Sequence, residues 1–381
     1  DEYKKEGGWA LEQIDPDNPC GGKNNWAVSR SKEGGTPGRE NSVFSENQDS
    51  KPIEPLHITL VDSLTLLLHF NEAYDRYSVT DPGIFKVSGM GNPTKALIQP
   101  PEYTSLMLEF ADPFKKNVRY ELIIRDQIRD CAGNEIERNS SVLFELPERP
   151  NPGDLVINEV LFNPAFDGVD FVEIYNRSER TVDLKEVCLA TVDEVTSETA
   201  RVSCLNGPGR LLFPGEYMVY TTDPGKVMEQ FHTDNPDHFV VTETFPSFPN
   251  DAGTVLLTDK WMQPLDRLDY DEKMHFSLLK DSEGVTLERI HPDRASDDPT
   301  NWQSAAQTSG YGTPTYKNSQ FSEQTNSKNV ISLEPEVFSP DNDGKDDILN
   351  IHYRFDQPGS VATVRIYDAK GRLVRHLINN R

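Results

Sequence analysis

Two stretches far apart in this 381-residue chain repeat one another. Residues 10–26, "ALEQIDPDNPCGGKNNW", lie over residues 286–302, "TLERIHPDRASDDPTNW", without a gap. The alignment matches Leu11 to Leu287, Glu12 to Glu288, Ile14 to Ile290, Pro16 to Pro292, Asn25 to Asn301 and Trp26 to Trp302. A one-residue insertion then brings "GTP" at 35–37 onto 312–314, and Asn41-Ser42 onto Asn318-Ser319. Such a repeat constrains how the chain divides before any strand is placed. The second copy closes a long strand-rich region, whereas the first stands at the start of the chain. Residues 1–43 are therefore expected to be the closing part of a domain whose front part lies upstream.

Between and around the copies the sequence reads as all-β. Short alternating runs recur at 64–70, 105–110, 120–124, 171–175, 217–222, 254–259 and 362–368, separated by turn residues among the 27 Pro and 24 Gly. One helix is expected near 223–231, "DPGKVMEQF", where an Asp cap precedes helical spacing. Polar linkers at 44–55, 147–153 and 321–330 carry too few apolar residues to build a core. They leave four pieces: 1–43, a unit at 56–146, a larger one at 154–320, and a short piece at 331–381.

The pieces carry family resemblances. Residues 155–190, "LVINEVLFNPAFDGVDFVEIYNRSERTVDLKEVCLA", with "LLFPGEYMVYT" at 211–221 and "FPNDAGTVLLTD" at 248–259, resemble the bacterial lamin-tail domain, which implies an immunoglobulin-like sandwich over 154–320. By the repeat, residues 1–43 then read as the C-terminal remnant of another lamin-tail domain. Residues 56–146 resemble bacterial Ig-like domains of surface-layer proteins, through "LLLHFNEAYD" and "YELIIRDQIRDCAGNEI". "EVFSPDNDGKDDILNIHYRF" and "VATVRIYDAKGRLVRHL" resemble the Ig-like domain of flagellar hook-capping proteins and the gliding-motility-associated modules of Bacteroidota. That family needs further strands, so 331–381 is expected to be an incomplete domain, completed by sequence beyond the chain or by another chain. The fold class implied is all-β, tandem immunoglobulin-like sandwiches strung like beads.

Candidate chemistry is sparse. Ser339, Asp341 and Asp343 before Gly344, with Asp346 and Asp347, imitate a calcium loop, although Ser stands first and Asn350 replaces the closing Glu. The same residues also suit a tight turn. Glu159 and Glu173 fall on adjacent expected strands, where a glycosidase pair would need a cleft between them; the framework reading bonds them to backbone and turn groups. Four cysteines occur, with no CxxC pair to hold zinc. Cys188 and Cys204 are candidates for a disulfide closing a loop worth about 3 kcal/mol, or for free buried thiols. Cys20 reads as a thiol whose partner lies outside the chain. Ser63, in Asp62-Ser63-Leu64, resembles an O-glycosylation acceptor of Bacteroidota. Trp261, Tyr270 and Tyr311 are candidates for a sugar platform or for packing. The eight histidines show no close ligand pairing, and nucleophile elbows, P-loops and dinucleotide glycine patterns are absent from the sequence.

A formal charge of −25 opposes a nucleic-acid role, because that affinity rests on Lys and Arg neutralising phosphates. No apolar run is long enough to cross a bilayer, and "DEYKKEGGW" holds neither a signal peptide nor a lipid-attachment cysteine, so an export signal is expected upstream. The expectation is a non-catalytic extracellular or cell-surface, outer-membrane-associated scaffold or adhesin of Bacteroidota type, with a protein or surface glycan as partner. Two alternatives are an accessory glycan-binding protein of a polysaccharide-capture system and a subunit of an outer-membrane assembly.

Overall fold

A computed structural model describes residues 7–18, 21–46, 49–192, 198–204, 209–242, 244–276, 279, 281–322, 330–335, 338–339, 348–354, 364–368, 370 and 372–378. At the N-terminal end β1 (Leu11–Gln13) and β2 (Trp26–Val28) pair antiparallel, with Leu11 opposite Val28 and Gln13 opposite Trp26.

β3 (Pro55–Leu60), β4 (Thr65–Phe70), β5 (Phe85–Val87), β6 (Lys95–Ile98), β7 (Ser105–Glu109), β8 (Tyr120–Ile124) and β9 (Ser141–Phe144) follow. They form two sheets, in the orders β3-β4-β7-β6 and β5-β8-β9. Period-two alternation in β7 and β8 turns Leu106, Leu108, Tyr120, Leu122 and Ile124 into the space between the sheets. Ile53, inside the stretch that composition marks as linker, is fully buried in this core.

The larger unit contains β10 (Leu155–Leu161), β11 (Phe171–Asn176), β12 (Val182–Asp183), β13 (Val187–Val192), β14 (Thr199–Cys204), β15 (Leu211–Leu212) and β16 (Tyr217–Thr221). α1 (Pro224–Gln230), β17 (Phe239–Val241), β18 (Ala252–Asp259), β19 (Pro264–Asp271), β20 (Leu287–Arg289) and β21 (Trp302–Ser304) complete it. One sheet runs β17-β16-β11-β10-β20-β21 and faces a second, β14-β13-β18-β19. β10 sits inside the first sheet and is buried at all seven positions, which explains why its sequence is apolar on both faces rather than alternating. α1 carries the chain from β16 to β17, the pair that runs parallel and so needs a crossover. Asp223 caps it, Pro224 fits its first turn, and Val227 and Phe231 pack on Leu161, Phe171 and Val219.

In the C-terminal piece β22 (Val330–Glu334) pairs with β23 (Asn350–Arg354), and β24 (Val364–Tyr367) with β25 (Leu373–Ile378). Their apolar side chains Leu333, Ile366, Val374 and Leu377 are exposed.

The two complete sandwiches are docked on one another, which the expected string of beads does not require. Leu211 and Phe213 of the larger unit join the core of the smaller one. The Thr59 hydroxyl donates to the Gly209 carbonyl at 3.0 Å, and Lys185 Nζ to the Leu60 carbonyl at 3.3 Å. The Arg119 guanidinium lies over the Phe213 ring at 4.5 Å. The connecting segment is pinned as well: the Glu148 N–H donates to the Thr181 carbonyl, while Arg149 pairs with Asp259 and stacks over Trp261.

Candidate functional site

Three adjacent strands of the larger sandwich place three glutamates in a row. Glu159 of β10 stands opposite Glu173 of β11 on one side and Glu288 of β20 on the other. All three are wholly buried. Like charges directly opposite one another in a sheet repel, and burial penalises each charge further. The site relieves both costs with donors from the closing loop. Thr313 gives its N–H to Glu159 at 2.8 Å and its hydroxyl to Glu288 at 2.8 Å. Thr315 N–H and Asn158 Nδ2 serve Glu173, the Thr286 hydroxyl serves Glu159, and Ser319 and Gln320 serve Glu288. Burial and the neighbouring Glu288 push the Glu159 carboxyl up to about 8. Glu173 and Glu288 are raised too, burial first and, for Glu173, Glu159 next. Burial and mutual repulsion thus favour the protonated form along the row, and the donors fasten the 313–320 loop to the sheet. A carboxyl sealed from solvent and engaged in this way has no face to offer a substrate.

The N-terminal hairpin reproduces this arrangement in part. Glu12 accepts from the Thr36 hydroxyl at 2.7 Å and from the Ser42 N–H and hydroxyl at 2.7 Å, as Glu288 does from Thr313 and Ser319. Asn41 donates to the Gln13 carbonyl at 2.9 Å, and Asn318 to the Arg289 carbonyl at 2.9 Å. Asn25 braces the turn before β2 through the Asp15 N–H and carbonyl, and Asn301 does the same through His291. Even the strand register matches: Leu11 faces Val28 as Leu287 faces Ser304. The electrostatics differ. Burial alone would raise Glu12, but hydrogen bonds from Ser42, Thr36 and Ser29 hold it down to about 2.

The remaining candidates scatter. Cys188 and Cys204 lie directly opposite one another on β13 and β14, joined by a disulfide with Cα atoms 4.2 Å apart. Cys131 is disulfide-bonded as well, and Cys20 lies outside the described residues. Ser63 sits half-buried in the β3–β4 turn, its carbonyl accepting from the Phe114 N–H. Of the calcium-loop candidates Ser339 is exposed, and Asp341, Asp343, Asp346 and Asp347 lie outside the described residues. The three aromatics form no common surface: Tyr270 is buried against Phe162, while Trp261 is half-exposed with Arg149 and Lys260 over its ring.

Two clusters went unread in the sequence. His57 and His69 face each other across β3 and β4, rings stacked at 4.6 Å, at the seam between the sandwiches. Thr59 gives its hydroxyl proton to Gly209, so His69 Nε2, at 3.0 Å, is the donor to Thr59. Burial holds His57 down to about 3, aided by Arg210 and His69, and holds His69 down to about 4, aided by Arg210. Eleven intervening residues of hairpin hide this pairing from any short-motif reading. The second cluster is Asp49, Glu72 and Asp130, whose carboxylates converge within 4.8 Å. Burial and the proximity of Asp49 and Asp130 raise Glu72 to about 7. Asn134 ties it together, donating to the Asp130 carboxylate and the Asp49 carbonyl.

Comparison with known proteins bears on one part of the chain. Residues 148–272 match the Lamin Tail Domain family. The lamin-tail match spans β10 to β19 and stops short of the repeated closing segment. No curated protein matches the chain. Among solved structures, the N-terminal part of the bacterial S-layer protein SbsC is 13% identical, covering 58% of this chain and 44% of that one, with a TM-score of 0.24. A DUF4876 family protein from Bacteroides thetaiotaomicron is 13% identical, covering 59% and 85%, with a TM-score of 0.26. A portion of alpha-2-macroglobulin from Escherichia coli is also 13% identical, covering 63% and 90%, with a TM-score of 0.21. The chain thus spans less than half the length of the S-layer fragment, and likenesses of this strength fix neither fold nor role.

Proposed function

We propose that the chain is a non-catalytic stretch of an exported, surface-associated protein, in which lamin-tail and Ig-like sandwiches act as a stiff spacer or scaffold. The observation that carries this reading is the docked seam. A short linker alone leaves two domains free to reorient. Here the linker is pinned by Arg149, and Leu211 and Phe213 cross into the neighbouring core. The sealed glutamate row supports the non-catalytic part of the reading, since the only expected catalytic pair is spent on holding a loop. The disulfides support export, because such bonds persist in oxidising compartments.

Calcium at Ser339, Asp341, Asp343, Asp346 and Asp347 belongs to the proposal on the chemistry of the donors alone. Calorimetric titration of calcium into the chain and into its Asp341→Asn, Asp343→Asn variant tests it. The scaffold reading is tested by thermal unfolding of the full chain. Docked sandwiches unfold in one coupled transition, and Phe213→Asp separates it into two. Two independent transitions in the unsubstituted chain would contradict the reading.

A further inference from the structure

The two copies of the repeat differ in what covers them. In the larger sandwich β10 lies along β20, Glu159 opposite Glu288 and Val160 opposite Leu287. Leu287 is fully buried there and Trp302 is 2% exposed. In the N-terminal hairpin the equivalent Leu11 is 67% exposed and Trp26 50%, and among the described residues β1 has only β2 beside it. The polar frame is nevertheless already set. Glu12 is fixed by Thr36 and Ser42, and Asn41 by the Gln13 carbonyl. In the covered copy those same positions reach onward to β10: Thr313 donates its N–H to Glu159, and Asn318 exchanges hydrogen bonds with Asn158.

We infer that the hairpin is the receiving half of a split sandwich, and that its occupant is an extended strand of β10 chemistry from the front half of a lamin-tail domain. The strand adds antiparallel to β1, places a glutamate beside Glu12 where the Thr36 N–H reaches it, and sets an apolar residue opposite Leu11. An unpaired strand edge recruits partners through its free N–H and C=O groups, and the alternating side chains choose among them. The repeat supplies both halves of that choice, because one molecule contains the filled and the open version. Two positions depart: Gln13 replaces Arg289, whose Nε donates to the Ile157 carbonyl, and Ala10 replaces Thr286, whose hydroxyl serves Glu159, so the incoming strand loses one bond at its third residue and one at its glutamate.

The probe is a synthetic peptide of residues 154–163, added to the full chain. Expected are slowed hydrogen exchange of the Leu11–Gln13 amides by about tenfold or more, as for a strand gaining a ladder partner, and a blue shift of fluorescence that is lost in Trp26→Phe. A peptide with Glu159→Lys and Val160→Asp should do neither, and Leu11→Lys in the chain should abolish both effects while leaving exchange in β10 unchanged. No protection at β1 under saturating peptide, or equal protection by the altered peptide, would overturn the assignment. Dimerisation of the chain through β1 without peptide would also overturn it, by making a second copy the occupant.

Discussion

Trp26 and Trp302 are the same residue of one motif in two surroundings, so truncating each to alanine separates the motif from what covers it. Trp302 is 2% exposed, its indole N–H donates to the Ser296 carbonyl at 2.9 Å, and Arg289 stacks over its ring at 4.7 Å. Removing a buried tryptophan costs about 3–5 kcal/mol through lost transfer free energy and the cavity left behind. The orphaned Ser296 carbonyl and the unstacked Arg289 add about 1 kcal/mol. Trp302→Ala should thus cost about 4–6 kcal/mol. Trp26 has half its surface in water already, so Trp26→Ala should cost about 1 kcal/mol within the hairpin and nothing in the larger sandwich. Native-state hydrogen exchange at the β10 amides reads the larger sandwich alone. Their opening free energy should fall by the full amount in Trp302→Ala, whereas in Trp26→Ala the Leu11–Gln13 amides of the hairpin should lose only about 1 kcal/mol. Equal losses in the two variants would refute the claim that only the second copy is covered.

Three further outcomes follow from the buried polar groups. His57 and His69 have folded values depressed below their ordinary 6.5, so their contribution is present above that pH and lost as pH falls toward 3–4. At pH 5 the two rings, beside Arg210, should cost the docked seam about 3 kcal/mol after discounting for their partial exposure; His57→Gln, His69→Gln should remove this acid sensitivity in urea titrations. The glutamate row has the opposite sign: raised folded values give stability that is complete below pH 4.5 and declines as pH rises through about 8, and Glu159→Gln should flatten that decline in exchange measured at β10. Replacing Cys188 and Cys204 by serine opens a loop of 16 residues and should cost about 3 kcal/mol, read by thermal unfolding with and without reductant.

Where the sequence was legible, the reason was periodicity. The runs at 105–110 and 120–124 alternate, and the structure forms β7 and β8 there. The cap Asp223 with Pro224 marked the single α-helix of the described residues. β10 was legible for a different reason, the resemblance of its sequence to the opening of lamin-tail domains, but not its position between β11 and β20, because strand order is set by long-range pairing that leaves no local trace. Glu159 and Glu173 were readable as framework residues on adjacent strands. Their third partner, Glu288, was in view as a repeat match to Glu12, yet its place beside Glu159 depends on the β10–β20 register. The seam was the least legible feature. Leu211 and Phe213 look like ordinary core residues of their own sandwich, and nothing in their spacing says that they pack into the other one.

The account rests most heavily on that seam, and the interdomain distance tests it directly. Spin labels at exposed Tyr77 in the smaller sandwich and Phe166 in the larger one, read by pulsed dipolar spectroscopy at pH 7.5, report the relative placement of the two units. A rigid spacer predicts one narrow distance distribution that broadens on Phe213→Asp and at pH 4. A broad distribution in the unsubstituted chain at neutral pH would contradict the account, leaving the sandwiches as independent modules on a tether.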